Sequence, residues 1–213
     1  MSGLSGGSPL TLHPDGGGSR RRRAGGYDRA VTDVLHFTGD REANELIATE
    51  PLALLIGFVL DQQVPVPTAF SGPLKLKQRL GRLDAAELAG LDPERLDAIF
   101  REKPAIHRFP GNMAKRVQEL AAVVTEEYGG DASRVWRDAS GTDDLKRRLG
   151  ALPGFGEMKV KALASVLARR LGVAAAEPLV PSHPMLGDVD SPEALAEYQA
   201  AKRAYKASLR ADA

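Results

Sequence analysis

The chain has 213 residues, no cysteine, and 29 basic against 28 acidic side chains, for a formal net charge of +1. The lack of cysteine excludes disulfides, thiolate catalysis, cysteine-ligated zinc and cysteine-bound iron–sulfur clusters. A net charge this close to zero names no partner; only the distribution of charge along the chain can do so.

Residues 1–34 hold "SGLSGGSPL" and "PDGGGSRRRRAGG" with few apolar side chains. This composition predicts a disordered tail, because it cannot bury enough apolar surface to offset its ordering entropy. Arg20 to Arg23 form a basic run whose default state is solvated. The tail has no apolar h-region of a signal peptide, and no apolar run reaches bilayer length. A soluble, cytoplasmic protein without a membrane partner is therefore expected, with one domain over 35–213.

The periodicity from there on is helical, and no alternating strand stands out. "GDREANELIATE" predicts a helix capped by Asp40 and stopped before Pro51. "PLALLIGFVLDQQ" is apolar nearly all round and reads as a buried central helix. Pro65 and Pro67 break the chain, and "TAFSGPLKLKQRLG" resumes a helix closed by Gly81, with Pro73 as a break or kink. "LDAAELAG" and "LDPERLDAIFRE" are short helices opened by aspartates, the second with Pro93 at its first position. "FPGNMAKRVQELAAVVTEEYGG" sets Met113, Val117, Leu120, Val123 and Val124 on one face and ends at Gly129 and Gly130.

"SRVWRDAS" and "TDDLKRRLGA" are again short, the latter with Thr142 as its expected cap. Then comes "LPGFGEMKVKALASVL", a loop over 174–190, and a last helix over 191–210. The count is about ten helices without internal repeat, and the class is all-α. Trp136, Phe58, Phe70, Phe100 and Phe109 read as core. His107 and His183 lack metal-ligand spacing, and no metal is assigned to any side chain.

The hairpin over 142–171 carries the chemistry. Its turn, Leu152 to Gly156, holds a proline and two glycines and no side chain that hydrogen-bonds. Gly154 and Gly156 permit positive φ and close approach of another surface. The N–H groups at the start of the following helix lack intrahelical partners and lie at its positive end, which suits a phosphate. Lys159 and Lys161 add charge, and the Leu152 and Gly154 carbonyls could hold Na+ or K+ between protein and phosphate.

"LPGFG" followed by a helix resembles the hairpin of the helix-hairpin-helix DNA glycosylase superfamily, HhH-GPD. "LLIGFVLDQQVPVPTAF" is similar to the superfamily's central helix and the turn that fills the gap left by a flipped nucleotide. "FPGNMAKRVQELAAVVTEEYGG" is similar to its K-A-x-x-L helix. The resemblance spans roughly 50–173 and implies a two-layer helical fold, a duplex DNA partner and base excision repair by a monomer, nucleoid-associated if bacterial. It implies Gln63 as the wedge, Gln62 as its neighbour, and Gly154, Phe155, Gly156, Met158, Lys159 and Lys161 as DNA contacts.

The family's lysine nucleophile falls at Met158 here, with Lys159 one residue late. A residue step turns a side chain by about 100°, so a monofunctional N-glycosylase without lyase activity is expected. The family's aspartate sits some 18 to 24 residues past the hairpin, where this chain offers only Glu177. The later string "DVDSPEAL" supplies Asp188 and Asp190 as catalytic candidates, which the long loop would have to bring back; Asp190 or Ser191 could equally cap the last helix. Asp61 reads as a helix-end residue. Arg108, Lys115 and Arg116, and Lys202, Arg203, Lys206 and Arg210 on the last helix, are candidate phosphate contacts. Two alternatives stand beside the enzyme: a non-catalytic protein that recognises damaged or bent DNA, and a helical protein-interaction module.

Overall fold

A computed structural model describes residues 32–211. The expected tail over 1–31, with Arg20 to Arg23, lies outside the described residues, as do the side chains of Lys206 and Arg210. Residues 32–34 are tied to the domain, with the Thr32 N–H donating to the Arg170 carbonyl at 3.1 Å.

The described residues are all-α, without strand. Helices α1 (Arg41–Thr49) and α2 (Pro51–Leu60) meet at Glu50, which caps the end of one and precedes Pro51 in the other. Asp40 accepts from the Glu42 and Ala43 N–H groups, so the expected cap is formed. Every residue of α2 from Leu52 to Leu60 is buried, in keeping with a helix apolar on all sides. It packs against α1, and against α3 (Val66–Phe70), α4 (Gly72–Leu80) and α7 (Pro110–Tyr128). The helix expected over 68–81 is two helices instead. Pro73 lies in the first turn of α4, where its missing N–H costs nothing, and the chain turns at Ser71.

Helices α5 (Ala85–Gly90) and α6 (Pro93–Arg101) open with Asp84 and Asp92 as caps and lie against α7. Gly129, at φ +63°, ends α7 in the left-handed conformation that glycine adopts most readily. Helix α8 (Arg134–Arg137) packs on α9 (Thr142–Ala151). Thr142 does not cap α9: Gly141 holds that position, and the Thr142 hydroxyl donates to the Ala175 carbonyl at 2.9 Å.

Helix α10 (Glu157–Arg169) completes the hairpin. The segment expected as a plain loop over 174–190 contains two 3-10 turns, Ala174–Leu179 and Leu186–Asp188, that cover α10. At Gly187 the backbones approach so closely that an ideal Cβ would lie 2.1 Å from the Ser165 carbonyl oxygen. The Ser165 hydroxyl accepts from the Gly187 N–H at 3.0 Å, satisfying a buried donor. The last helix, α11 (Pro192–Ala211), is opened by Ser191, whose hydroxyl accepts from the Ala194 N–H at 3.2 Å.

Candidate nucleic-acid interface

The turn after α9 is set by one glycine and one aromatic ring. Gly154 has φ +80°, and the Leu152 carbonyl accepts from the Phe155 N–H at 3.1 Å. The Phe155 ring is 6% exposed and packs against Phe58 of α2 with centroids 6.2 Å apart. The turn therefore offers outward backbone while Phe155 pins it to the central helix. Gly156 has φ −84°, a conformation open to any residue, so positive φ is not its use. Nothing lies within 4 Å of the position a Gly156 Cβ would take, and no side chain caps α10. Its glycine leaves the positive end of a 13-residue helix open to an anion.

Against this turn lies the C-terminal end of α2. The Gln62 amide donates to the Val59 carbonyl at 2.8 Å, and its oxygen accepts from Arg116 of α7. Gly154 faces the same pair, its Cβ position falling 3.9 Å from both the Arg116 guanidinium and the Gln62 amide nitrogen. Lys159 is half-buried, donates to the same Val59 carbonyl at 3.3 Å, and lies 5.8 Å over the Phe155 ring. Burial pushes the Lys159 ammonium down to a pKa of about 8, against the opposing pull of the Asp61 carboxylate, with Arg116 lowering it further. The hairpin, Gln62, Arg116, Lys159 and Asp61 thus converge although they come from three separate stretches of sequence.

The next residue, Gln63, is exposed and has φ +56°, the single non-glycine with positive φ among the described residues. Such a conformation costs on the order of 1 kcal/mol and is kept by the surrounding structure. Here His107 and Arg108 supply the hold. The His107 imidazole, 2% exposed, accepts the Phe109 N–H on Nδ1 at 3.0 Å. Its proton is therefore on Nε2, which donates to the Gln62 carbonyl at 3.0 Å. Desolvation holds its pKa below the ordinary value and keeps the ring neutral, which this pairing requires. Arg108 reaches the Gln63 carbonyl at 3.4 Å and lies 4.6 Å over the ring of Phe109.

Phe109, expected in the core, is 39% exposed beside this segment, and Met158 is 61% exposed on the first turn of α10. Lys161 is paired with Glu157 at 2.6 Å on the exposed side of α10. Pairs of this kind are worth ~0–1 kcal/mol, so the lysine can exchange partners.

Asp188 and Asp190 are not brought to the turn, a correction to the sequence-based expectation. Asp188 pairs with Arg169 and accepts the Met185 N–H at 2.7 Å; Asp190 lies 3.9 Å from Arg170. The chain around them is docked at Ser165 to Arg169, eight to twelve residues beyond Glu157, or about 12–18 Å along the axis at ~1.5 Å per residue. The loop returns along α10 but stops at its far end, fixed there by the Gly187 contact. Asp61, just before Gln62, is the carboxylate whose charge acts on the Lys159 ammonium.

His107 and Asp61 were given no functional role by sequence. Their partners lie 45 and roughly 100 positions away, and no local spacing announces them. Among the described residues no group of three or more histidine, aspartate or glutamate side chains could hold a metal ion, and no single helix is long and apolar enough to cross a membrane. Comparison of the chain with protein-family models, with curated proteins and with solved structures finds no match in any of the three.

Proposed function

We propose that the protein binds duplex DNA and acts in base excision repair, as the resemblance to the HhH-GPD superfamily implies. The hairpin turn holds a backbone phosphate through the N–H groups at the start of α10, with Arg116 and Lys159 at its side. Gln63 enters the gap left by an extruded nucleotide. The observation that carries this reading is the convergence of the uncapped turn on the strained Gln62–Gln63 segment. A site of that construction pairs anion capture with an exposed side chain on a fixed backbone. The Leu152 and Gly154 carbonyls remain candidates to share a Na+ or K+ with the phosphate, since a carbonyl has a second lone pair beyond the one Phe155 uses.

The activity assigned is monofunctional N-glycosidic cleavage by water, with Asp61 rather than Asp188 or Asp190 as the carboxylate at the site. The pairing of Asp188 and Asp190 with Arg169 and Arg170 favours the second reading, a non-catalytic protein that recognises damaged or bent DNA. Incubation of the full chain with duplexes carrying single modified bases separates the two. Release of a free base supports the glycosylase. Salt-sensitive duplex binding without release of any base supports the binder.

A further inference from the structure

Arg116 and Lys159 reach the hairpin turn from two different helices, α7 and α10, and both are half-buried. Their polar partners are neutral: Arg116 donates to the Gln62 amide oxygen, and Lys159 to the Val59 carbonyl at 3.3 Å. The Gln62 amide donates to that same carbonyl at 2.8 Å, so one short stretch at the end of α2 holds both cations. Elsewhere Arg41, Lys77, Arg101 and Arg134 each lie within 2.8 Å of a carboxylate. The charge of Asp61 acts on Lys159, but Asp61 also lines a groove with Lys202 and Arg203 of α11. Burial, and to a smaller extent Arg116, lower the Lys159 pKa, as expected of two cations held together without a counter-charge for each. Next to them open the N–H groups of Glu157 and Met158, which precede the first intrahelical bonds of α10, those from Lys159 and Val160 to the Gly156 carbonyl.

We infer that this site takes a terminal phosphate, the phosphomonoester at a strand break, in preference to a phosphodiester inside a strand. The inference rests on the DNA-binding reading of the hairpin and names the form of DNA that the site prefers. A diester has a single negative charge and two unesterified oxygens. A monoester has a charge of about −1.5 to −2 at pH 7 and three strong acceptor oxygens. Three sets of donors converge here to meet them: the Arg116 guanidinium, the Lys159 ammonium and the N–H pair of α10. The helix end alone would serve either phosphate. The two side-chain cations make the difference, because each charge-assisted bond gains from an added acceptor and added negative charge. Half-burial acts in the same direction. Arg116 lies behind the turn, 3.9 Å from the position of a Gly154 Cβ, as does the Gln62 amide nitrogen. A diester would bring a sugar on each side into that space, and a strand end brings only one. A gap in the strand also leaves room for exposed Gln63, the neighbour of Gln62.

The test uses the full chain and labelled duplexes of one sequence with a one-nucleotide gap. The gap is flanked by two hydroxyls, by a 5′-phosphate or by a 3′-phosphate, and the ungapped duplex is the control. Fluorescence anisotropy at fixed salt, at about pH 7.5 where the monoester is largely a dianion, gives the affinity for each. The expected result is at least about tenfold tighter binding of one or both phosphorylated gaps than of the hydroxyl gap, from the added charge-assisted bonds. A gain at one end alone assigns the polarity of the bound strand end. Arg116→Gln and Lys159→Gln are each expected to lower the preference to about threefold or less. Because ratios are read, a uniform change in duplex affinity cancels. The proposal is overturned if the wild type binds the three gapped duplexes equally, or if the preference survives in both variants. The wild-type comparison decides the matter even if a variant fails to fold. Failure of the wild type to bind any duplex, the ungapped control included, removes the DNA-binding reading and the inference with it, and is a distinct outcome.

Discussion

His107→Leu tests how the Gln62–Gln63 segment is held. Leucine has similar bulk but neither donates nor accepts, so the substitution strands two backbone groups: the Gln62 carbonyl and the Phe109 N–H, each now paired at 3.0 Å. Leaving a buried polar group unsatisfied costs about 1–3 kcal/mol, which gives about 2–6 kcal/mol for the pair. Relaxation of Gln63 from φ +56° returns on the order of 1 kcal/mol, so the net loss is about 1–5 kcal/mol. Urea unfolding at about pH 7.5 measures it, with an unchanged m-value as the control for two-state behaviour. His107→Gln, whose amide can still reach the Gln62 carbonyl, recovers part of the loss.

A pH signature separates this mechanism from simple repacking. The folded pKa of His107 is depressed below the ordinary value of 6.5 by burial. Between the two pKa values the unfolded chain binds a proton that the native chain does not, so wild-type stability falls as pH drops below about 6.5. His107→Leu lacks this dependence, and the gap between the two proteins narrows on acidification. A loss under about 0.5 kcal/mol, or a gap unchanged between about pH 7.5 and pH 5, would refute the imidazole's role as the clamp.

Three further outcomes are expected. Gly187→Ala places a Cβ 2.1 Å from a backbone oxygen that cannot move aside, so a loss on the order of 3 kcal/mol and a Tm drop of about 6–12 °C are expected by calorimetry. An unchanged Tm would mean that the 3-10 turn does not sit on α10. With the Lys159 pKa lowered to about 8, its charge is lost as pH rises through that value, so DNA affinity falls between about pH 7 and pH 9. Lys159→Met flattens that profile, and an identical pH dependence in both proteins would remove Lys159 from the interface. Gly154→Ala has room at its Cβ but must hold φ +80°, so a cost of about 1–2 kcal/mol is expected from conformation alone; urea unfolding with no loss would show that the turn can rearrange.

The helices were legible because each is written locally. Asp40, Asp84 and Asp92 cap what they were expected to cap, and α2 announces its burial by being apolar on every side. Thr142 was misassigned because a hydroxyl that could cap its own helix bonds instead to Ala175, which sequence gives no reason to place nearby. The hairpin turn was equally legible, yet Phe155 as its anchor was not, since its partner Phe58 lies on another helix. The candidate site shows the same division. Gln62, Gln63 and the glycines stand in recognisable strings, whereas His107, Arg116 and Asp61 reach them through tertiary packing. Asp188 and Asp190 show the converse. A local string matched, but the Gly187–Ser165 contact holds it at the end of α10 away from the turn.

The most direct test of the hairpin as a phosphate site is the salt dependence of duplex affinity for the wild type and for Gly156→Asp. Open space surrounds the Gly156 Cβ position, and aspartate at an N-cap is favourable, so this variant is expected to be folded and no less stable. With Arg108, Lys115, Arg116 and Lys159 as the available cations, the wild-type log–log slope should be about −3 to −4. Gly156→Asp should bind at least about tenfold more weakly, because its carboxylate occupies the position of the phosphate. Equal affinities for two equally folded proteins would contradict the phosphate site and, with it, the proposed function.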